Sequence, residues 1–345
     1  MRKTGRFDAV QTRRHLLLRG LESGEFVRLH YRPFDVRWLF WHRETKLVEE
    51  RREDFRHHVA PGNPLLAVVR HNRKGFTEPM VMSCFPSHHL IERGANYFPL
   101  YLQPDDDSTI LREPTQMDFD LGGNSNPSGP QPNLTDFARE YLAGLKCGAE
   151  DLFFHIVAVL HAPLYREENA GALRQDWPRV PLPKTGKILK AGADLGRQLA
   201  ALLDPETPVE GVTSLKVRAD LRGLGELTAK GKTPDLAIVA RWGYAGQGGV
   251  TMPGPGMVKS GTRGEGFVDI HLNETTRWKD VPAAVWAYTL GGYQVLKKWL
   301  SYRESALLGR PLTGDEAQEF THHIRRIAAI LALHPQLDAH YQASV

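Results

Sequence analysis

The stretch Val285 to Arg303, VWAYTLGGYQVLKKWLSYR, constrains the chain most, because its periodicity changes across two adjacent glycines. Trp286, Tyr288 and Leu290 alternate with smaller residues, the period-2 pattern of a half-buried strand. Gly291-Gly292 permits a sharp turn or a close backbone approach. Beyond them Val295, Leu296, Trp299 and Leu300 share one helical face, and Lys297 and Lys298 point away from it. The segment therefore predicts a strand–helix corner with a large apolar anchor, which by spacing alone belongs to an ordinary core.

The other elements are legible by the same rules. Phe7, Val10, Leu17 and Leu21 keep a rough helical spacing, closed by Ser23-Gly24. Phe26 to Tyr31 and Val36 to Trp41 read as strands interrupted by Pro33, with Arg28, Arg32, Arg37, Arg43, Arg51 and Arg52 set among aromatics. Leu65 to Arg70, Val81 to Phe85 and Tyr97 to Leu102 read as further strands. Helices then dominate: one ending near Leu145 with Asn133 or Thr135 as cap and Gly148 as stop, an apolar one over Ala149 to His161, and one over residues 186–203. The prolines of Trp177 to Pro183 exclude a helix there. VTSLKV, PDLAIVARW and GFVDIHL read as strands, with a glycine-rich, basic loop between the last two. Thr313 to Glu316 fits a capping box, Ala317, Phe320, Ile324, Ile327 and Leu331 form a stripe, and Pro335 marks the expected end of that helix. The fold class is α+β: mixed strands, a central helical segment, a strand–helix corner and a long C-terminal helix.

Composition bounds what such a fold can do. The chain has 345 residues, 41% hydrophobic and 24% charged, enough for a sizeable core. No apolar run approaches the ~20 residues that span a bilayer, and the basic N-terminus lacks a secretory apolar core. Two cysteines, Cys84 and Cys147, suit a reducing cytoplasm and exclude a disulfide framework or a cysteine-rich zinc site. Residues 1–75 hold 17 Lys+Arg against 9 Asp+Glu, a balance of +8 within a net +4, so the rest carries −4. That asymmetry fits either a surface facing a polyanion or a merely solvated basic face. Residues 104–133 are rich in Pro, Gly, Asn, Ser and Asp and read as a flexible linker. They divide a basic unit at 1–103 from a helical and β-rich region at 134–345.

Chemistry is scarce. Gly231-Lys232-Thr233 resembles the end of a phosphate loop, but the first glycine it requires is replaced by Glu226. His57-His58, His88-His89 and His322-His323 are adjacent pairs whose side chains diverge, which makes them poor chelators. HExxH, GxSxG and the amino-methyltransferase tetrapeptide [DNS]PP[YFW] are absent. Asp35, Glu44 and Lys46 echo the acidic–acidic–lysine cluster of metal-dependent nucleases. The competing reading pairs Asp35 with Arg32 or Arg37 to hold a strand crossing.

Four stretches in order, YRPFDVRWLFW at 31–41, FPLYL at 98–102, FHIVAVLHAPLYREENAGALRQDWPRVPLP at 154–183 and VWAYTLGGYQVLKKWLSYRESALLGRPLT at 285–313, resemble the C-terminal specificity domain of Type ISP restriction–modification enzymes. The likeness runs from about residue 26 to 341. Such enzymes join a nuclease, a helicase-like motor, an N6-adenine methyltransferase and a target recognition domain in one chain. The resemblance implies sequence-specific binding of double-stranded DNA, no catalysis and no metal or cofactor in this chain. S-adenosylmethionine, ATP and Mg²⁺ would belong to the missing domains. It leaves open an excised domain, a gene fragment or a separate subunit, working in cis or trans with a methyltransferase and a helicase/nuclease in phage defence. It implies no membrane partner. Candidate DNA-binding residues are Arg32, Arg37, Arg70, Asn72, Arg73, Lys74, Lys259, Arg263, Lys297 and Lys298. Arginine and lysine suit phosphates and guanine, and asparagine suits adenine. Arg166, Arg179 and Arg303 fall within the shared motifs and equally suit structural pairing. The alternatives are a metal-dependent nuclease and a protein-interaction module that touches no bases.

Overall fold

The structure is a computed structural model that describes residues 8–20, 26–41, 53–70, 76–91, 94–104 and 129–345. Helix α1 (Ala9–Arg19) is capped by Asp8, which accepts the Gln11 N–H at 3.0 Å. Its apolar residues do not face a core as their spacing predicts: Val10, Leu17 and Leu18 are exposed. Phe7 and Leu21, the other members of that stripe, lie outside the described residues.

Strands β1 (Phe26–Arg32) and β2 (Asp35–Phe40) form an antiparallel hairpin across Pro33-Phe34. Phe34 has a φ of 61°, unusual for a bulky residue. Tertiary burial holds it there, fully enclosed against His323 with ring centroids 5.5 Å apart. A one-turn helix α2 (Glu53–Arg56) leads to β3 (Leu65–Val69), whose every residue is buried. That strand is central in a sheet, flanked by β4 (Met80–Met82) and, further on, β6 (Ala95–Pro99). The expected single strand over Val81 to Phe85 is split, because β5 (Phe85–Pro86) leaves that sheet and pairs in parallel with β1. Strand β7 (Tyr101–Leu102) pairs with β8 (Gln131–Pro132).

Helix α3 (Asp136–Leu145) is capped by Thr135 and stops at Lys146 in the left-handed region, so Gly148 instead starts α4 (Ala149–His161). Helix α5 (Pro163–Glu168) opens on proline, where the missing N–H costs nothing. Helix α6 (Gly186–Leu203) crosses α4 at Gly192 and Gly196. Any side chain at Gly196 would collide with the Phe154 carbonyl, so glycine sets the helix separation.

The next segment departs from its sequence pattern. VTSLKV and PDLAIVARW form no ladder strand. Their backbone is bonded piecemeal, as in Val239 N–H to Leu272 O at 2.9 Å and Ser305 N–H to Ile238 O at 2.7 Å. The ladder runs instead through β9 (Glu226–Ala229). The expected glycine-rich loop contains a hairpin, β10 (Gly243–Ala245) with β11 (Thr251–Pro253), followed by β12 (Val258–Ser260). With β13 (Phe267–His271) and β14 (Thr276–Pro282) these give a sheet of order β12-β13-β14-β9.

The Val285 to Arg303 segment is not strand, turn, helix. It is a short helix α7 (Ala283–Ala287), a hairpin of β15 (Thr289–Leu290) and β16 (Tyr293–Gln294), then α8 (Val295–Ser301). Alternation over six residues fits either element, and the tight hairpin around Gly291-Gly292 leaves room for only two strand residues per side. Gly291 has a φ of 60°, its N–H donates to Thr77 Oγ1 at 2.7 Å, and a Cβ there would lie 2.7 Å from the Ile91 backbone.

After α9 (Ser305–Leu308), helix α10 (Gly314–Ser344) carries the predicted capping box, with Thr313 and Glu316 reciprocally bonded. It does not end before Pro335 but continues through it. A proline interior to a helix costs about 3 kcal/mol. The turns beyond it are docked: Asp338 accepts the Leu164 N–H at 2.8 Å, Tyr341 donates to Glu168 at 2.8 Å, and His340 meets His155 at 2.9 Å. The Pro181 carbonyl 2.9 Å from His155 Nε2 can only accept, so in the neutral pair His340 is the donor to His155. Arg326, buried on α10, donates to the Ala201 carbonyl at 2.7 Å and the Asp204 carbonyl at 3.0 Å, satisfying the end of α6. One buried cluster draws on β3, α4, α6, β14, α8 and α10, with Phe320 between Trp278 (4.2 Å) and Trp299 (5.0 Å). It includes residues from both sides of 104–133.

Candidate nucleic-acid interface

Sequence places Arg32 more than 250 residues from Lys297 and Lys298; the fold places these three around one cleft, with Arg37 on the other side of its wall. Its walls are the end of β1, the β15–β16 hairpin with α8, and the tip of the β10–β11 hairpin. It encloses about 760 Å³, and Tyr31, Arg32, Tyr293, Lys297, Lys298 and Tyr302 line it. No carboxylate lines it among the described residues. A neighbouring pocket behind Arg37 and Tyr302 is lined by Glu206, Glu316 and Glu319, so the acidic groups fall on the other side of that wall.

The cations are held by rings. The Arg32 guanidinium lies 4.3 Å from the Tyr31 ring and 5.6 Å from Tyr293. Arg37, behind the wall, lies 4.2 Å from Tyr31 and 4.6 Å from Tyr302, and Lys298 Nζ lies 4.5 Å from Tyr302. Such contacts hold long side chains in place, with Arg32 and Lys298 in the cleft lining and Arg37 paired instead with Asp35. Burial, followed by the nearby Arg32 charge, lowers the Lys298 pKa from its ordinary value. With Arg32, Lys297 and Lys298 in the lining and no carboxylate there among the described residues, the cleft meets the electrostatic condition for an anion site.

Asp35 is the foundation under this wall. It is 1% exposed, and its carboxylate accepts from Arg37 Nη2 at 2.7 Å and Arg303 Nη2 at 3.0 Å. Burial alone would raise its pKa, but Arg303 and Arg37 together pull it below the ordinary carboxylate value. Burial works against the Arg37 charge, and Asp35 more than offsets it and raises the Arg37 pKa. Arg303 packs 3.7 Å over Trp299, which ties the pair to the core. Both oxygens of Asp35 are thus committed to arginine. Glu44 and Lys46, the other members of the nuclease-like triplet, lie outside the described residues. Among the described residues no group of three or more His, Cys, Asp or Glu could hold a metal ion. No described helix is long and apolar enough to cross a membrane.

The remaining candidates are scattered. Lys259 is exposed on β12, opposite Asp269 in the ladder. Arg263 follows that strand and is drawn to Asp280, with its N–H 3.0 Å and its Nε 3.6 Å from the carboxylate. Arg70, at the end of β3, pairs with Asp176 at 3.1 Å, both about half exposed. None of the three lines the cleft. Asn72, Arg73 and Lys74 lie outside the described residues. Arg166 pairs with Glu78, and the Arg179 carbonyl accepts the Tyr165 hydroxyl at 3.0 Å. Sequence reasoning missed the three tyrosines and the β10–β11 tip. Tyr31, Tyr293 and Tyr302 do stand within one to five residues of Arg32, Arg37 or Lys298, an aromatic–basic interleaving that marks them.

By fold and site this is an α+β scaffold carrying a cationic cleft walled by aromatic rings. The chain belongs to the Type ISP C-terminal specificity domain family, whose profile matches residues 9–328. No curated protein matched it. Among solved structures it is similar to the cryoEM structure of a DrdV–DNA complex (20% identity, TM-score 0.57, covering 92% of this chain and 28% of that one). It is also similar to a nuclease-deletion mutant of the Type ISP restriction–modification enzyme LlaGI in complex with a DNA substrate mimic (15%, 0.53, 92% and 25%). A third likeness is to the ATP-dependent Type ISP enzyme LlaBIII bound to DNA (13%, 0.57, 97% and 20%). At these identities the likeness is one of fold. The chain spans between a fifth and just over a quarter of the length of those chains.

Proposed function

We propose that the chain recognises double-stranded DNA sequence-specifically and directs an N6-adenine methyltransferase and its restriction machinery to the target, in phage defence in the cytoplasm. The observation that carries this reading is the convergence of Arg32, Lys297 and Lys298 on a cleft that no carboxylate lines among the described residues, with Arg37 behind its wall. The phosphate backbone supplies the anion that such a cleft lacks, and phosphate contacts set register while other side chains read bases. Membership of a specificity-domain family, and the DNA complexes among its structural neighbours, support the same reading. Methyltransferase and helicase/nuclease domains would act in cis or trans, and S-adenosylmethionine, ATP and Mg²⁺ would serve those domains. Lys259, Arg263, Arg70, Asn72, Arg73 and Lys74 remain candidates for contacts outside the cleft.

The test is binding of a short labelled duplex across a salt series. Arg32→Met/Lys298→Met removes two phosphate-binding charges and should reduce the steepness of log K against log[salt] by about 1.8. Methionine keeps an unbranched apolar chain against the rings and removes the charge, together with the Arg32 hydrogen bonds to the Tyr31 carbonyl at 2.7 Å and Ser87 Oγ at 3.3 Å. Binding that ignores salt, or a slope unchanged in the double variant, refutes the cleft as the seat of the duplex.

A further inference from the structure

The β10–β11 hairpin forms one wall of the cleft and is unlike the others. Sixteen consecutive residues, Trp242 to Met257, carry no charge in a chain that is 24% charged. Its apolar side chains nevertheless face solvent: Val250 is 60% exposed, Tyr244 54% and Met252 42%. Tyr244 and Met252 are direct cross-strand partners, so they share one face, and Val250 stands at the turn. Val250 and Met252 both line the cleft.

The hairpin is rigid at its base and free at its tip. Trp242 is fully buried, its indole donates to the His271 carbonyl at 2.7 Å, and its N–H donates to the Glu304 carboxylate at 2.7 Å. Gly243 and Gly254 lie so close to the backbone at Ser301 and Arg241 that no side chain fits. Across the turn, the Gly246 N–H donates to the Val250 carbonyl at 2.8 Å. Gly248 and Gly249 take φ of 72° and 79° and have open space around them.

We propose that this hairpin is a wedge that inserts Val250 and Met252 between stacked bases of a duplex held in the cleft. The inference rests on the cleft being the DNA seat. A duplex offers two chemistries side by side: phosphates for Arg32, Lys297 and Lys298, and apolar base faces for an uncharged tip. Apolar side chains driven into a base step unstack it and unwind or kink the helix. Unstacking next to the target lowers the cost of extruding a base, which methylation of an adenine within a duplex requires. A tip that only contacted the backbone would gain nothing from exposed valine and methionine.

The experiment uses the 345-residue chain on closed-circular plasmid relaxed by topoisomerase while the protein is bound, with occupancy measured in parallel. The wild type should lower the linking number in proportion to bound protein. Val250→Ser/Met252→Ser should lose that shift at matched occupancy, and Leu215→Gln, a polar change at a fully exposed apolar residue that does not line the cleft, should keep it. Both serine sites are exposed, and surface changes of this kind alter stability by about 0.5 kcal/mol or less, so folding is retained. A wild type that binds plasmid without a shift, or a serine variant that shifts it fully, overturns the wedge and leaves the cleft reading standing. A wild type that binds no plasmid at low salt overturns both.

Discussion

Asp35→Ala tests the framework of the cleft directly. The side chain is 1% exposed and holds two guanidinium groups, of which Arg303 is itself only 8% exposed. Removing one partner of a buried pair strands the other charge, at a cost of about 3–5 kcal/mol. At roughly 2.1 cal/mol/K of unfolding entropy per residue, 345 residues carry about 0.7 kcal/mol/K, so Tm should fall by about 4–7 °C. Arg303→Met alone should cost a comparable amount, because Asp35 keeps only the half-exposed Arg37. Asp35→Ala/Arg303→Met removes both buried charges, and its loss should be well short of the sum, with a coupling of about 2 kcal/mol or more. Thermal melts and urea unfolding of the four proteins at neutral pH measure this. A shift below about 1 °C for Asp35→Ala, or additive losses, would refute the buried pair as the support of the wall. In the same variant the loosened Arg37 stack should weaken duplex binding. Loss of DNA cleavage specific to Asp35 would instead revive the nuclease reading.

Other expectations follow from neighbouring groups. Burial chiefly lowers His30 and His340 to about 4 and His161 to about 3, against about 6.5 in the unfolded chain. The unfolded chain therefore binds more protons between about pH 4 and 6.5, and stability, complete above that window, should fall as pH drops through it. Urea midpoints that stay flat from pH 7 to 4 would contradict this, and His161→Gln should flatten the slope. The pKa of Lys298 is lowered in the free chain, and a bound polyanion would raise it. Duplex affinity should accordingly decline as pH rises through the free-state value, a decline that Lys298→Met abolishes. Gly291→Val places a branched side chain at a φ of 60° and against Ile91, and should destabilise by more than about 2 kcal/mol in urea titration.

Local chemistry made much of the fold legible. The Thr313 to Glu316 capping box is local hydrogen bonding, and it stands as predicted. The apolar stripes of α6 and α8 record burial on one face, which leaves its mark at a fixed period, whereas the burial of β1 and β13 does not alternate. The family was legible too, because its motifs hold the residues that build the core: Trp299, Leu160 and Phe34 are all buried within them. Reading failed where a local pattern was ambiguous or a distant contact prevailed. Six residues before Gly291 are too few to fix their element, and the chain made Val285 to Ala287 helix and Thr289-Leu290 strand. Proline predicted a helix end at 335, and docking through Asp338, His340 and Tyr341 carried the helix onward. PDLAIVARW has strand composition but no ladder partner, and a strand requires one.

The sequence by itself determined the α+β class, the family and the cationic and aromatic residue types that a DNA seat needs. Tertiary structure alone decided which of those cations act together. Arg32 and Lys298 share a cleft, Arg263 and Arg70 are drawn to carboxylates elsewhere, and an uncharged hairpin comes to stand beside the basic wall. The physical reason is range. Capping, periodicity and composition act within a few residues, whereas a binding site is set by charges and rings brought within a few ångströms by packing, at separations in the chain that no local pattern records.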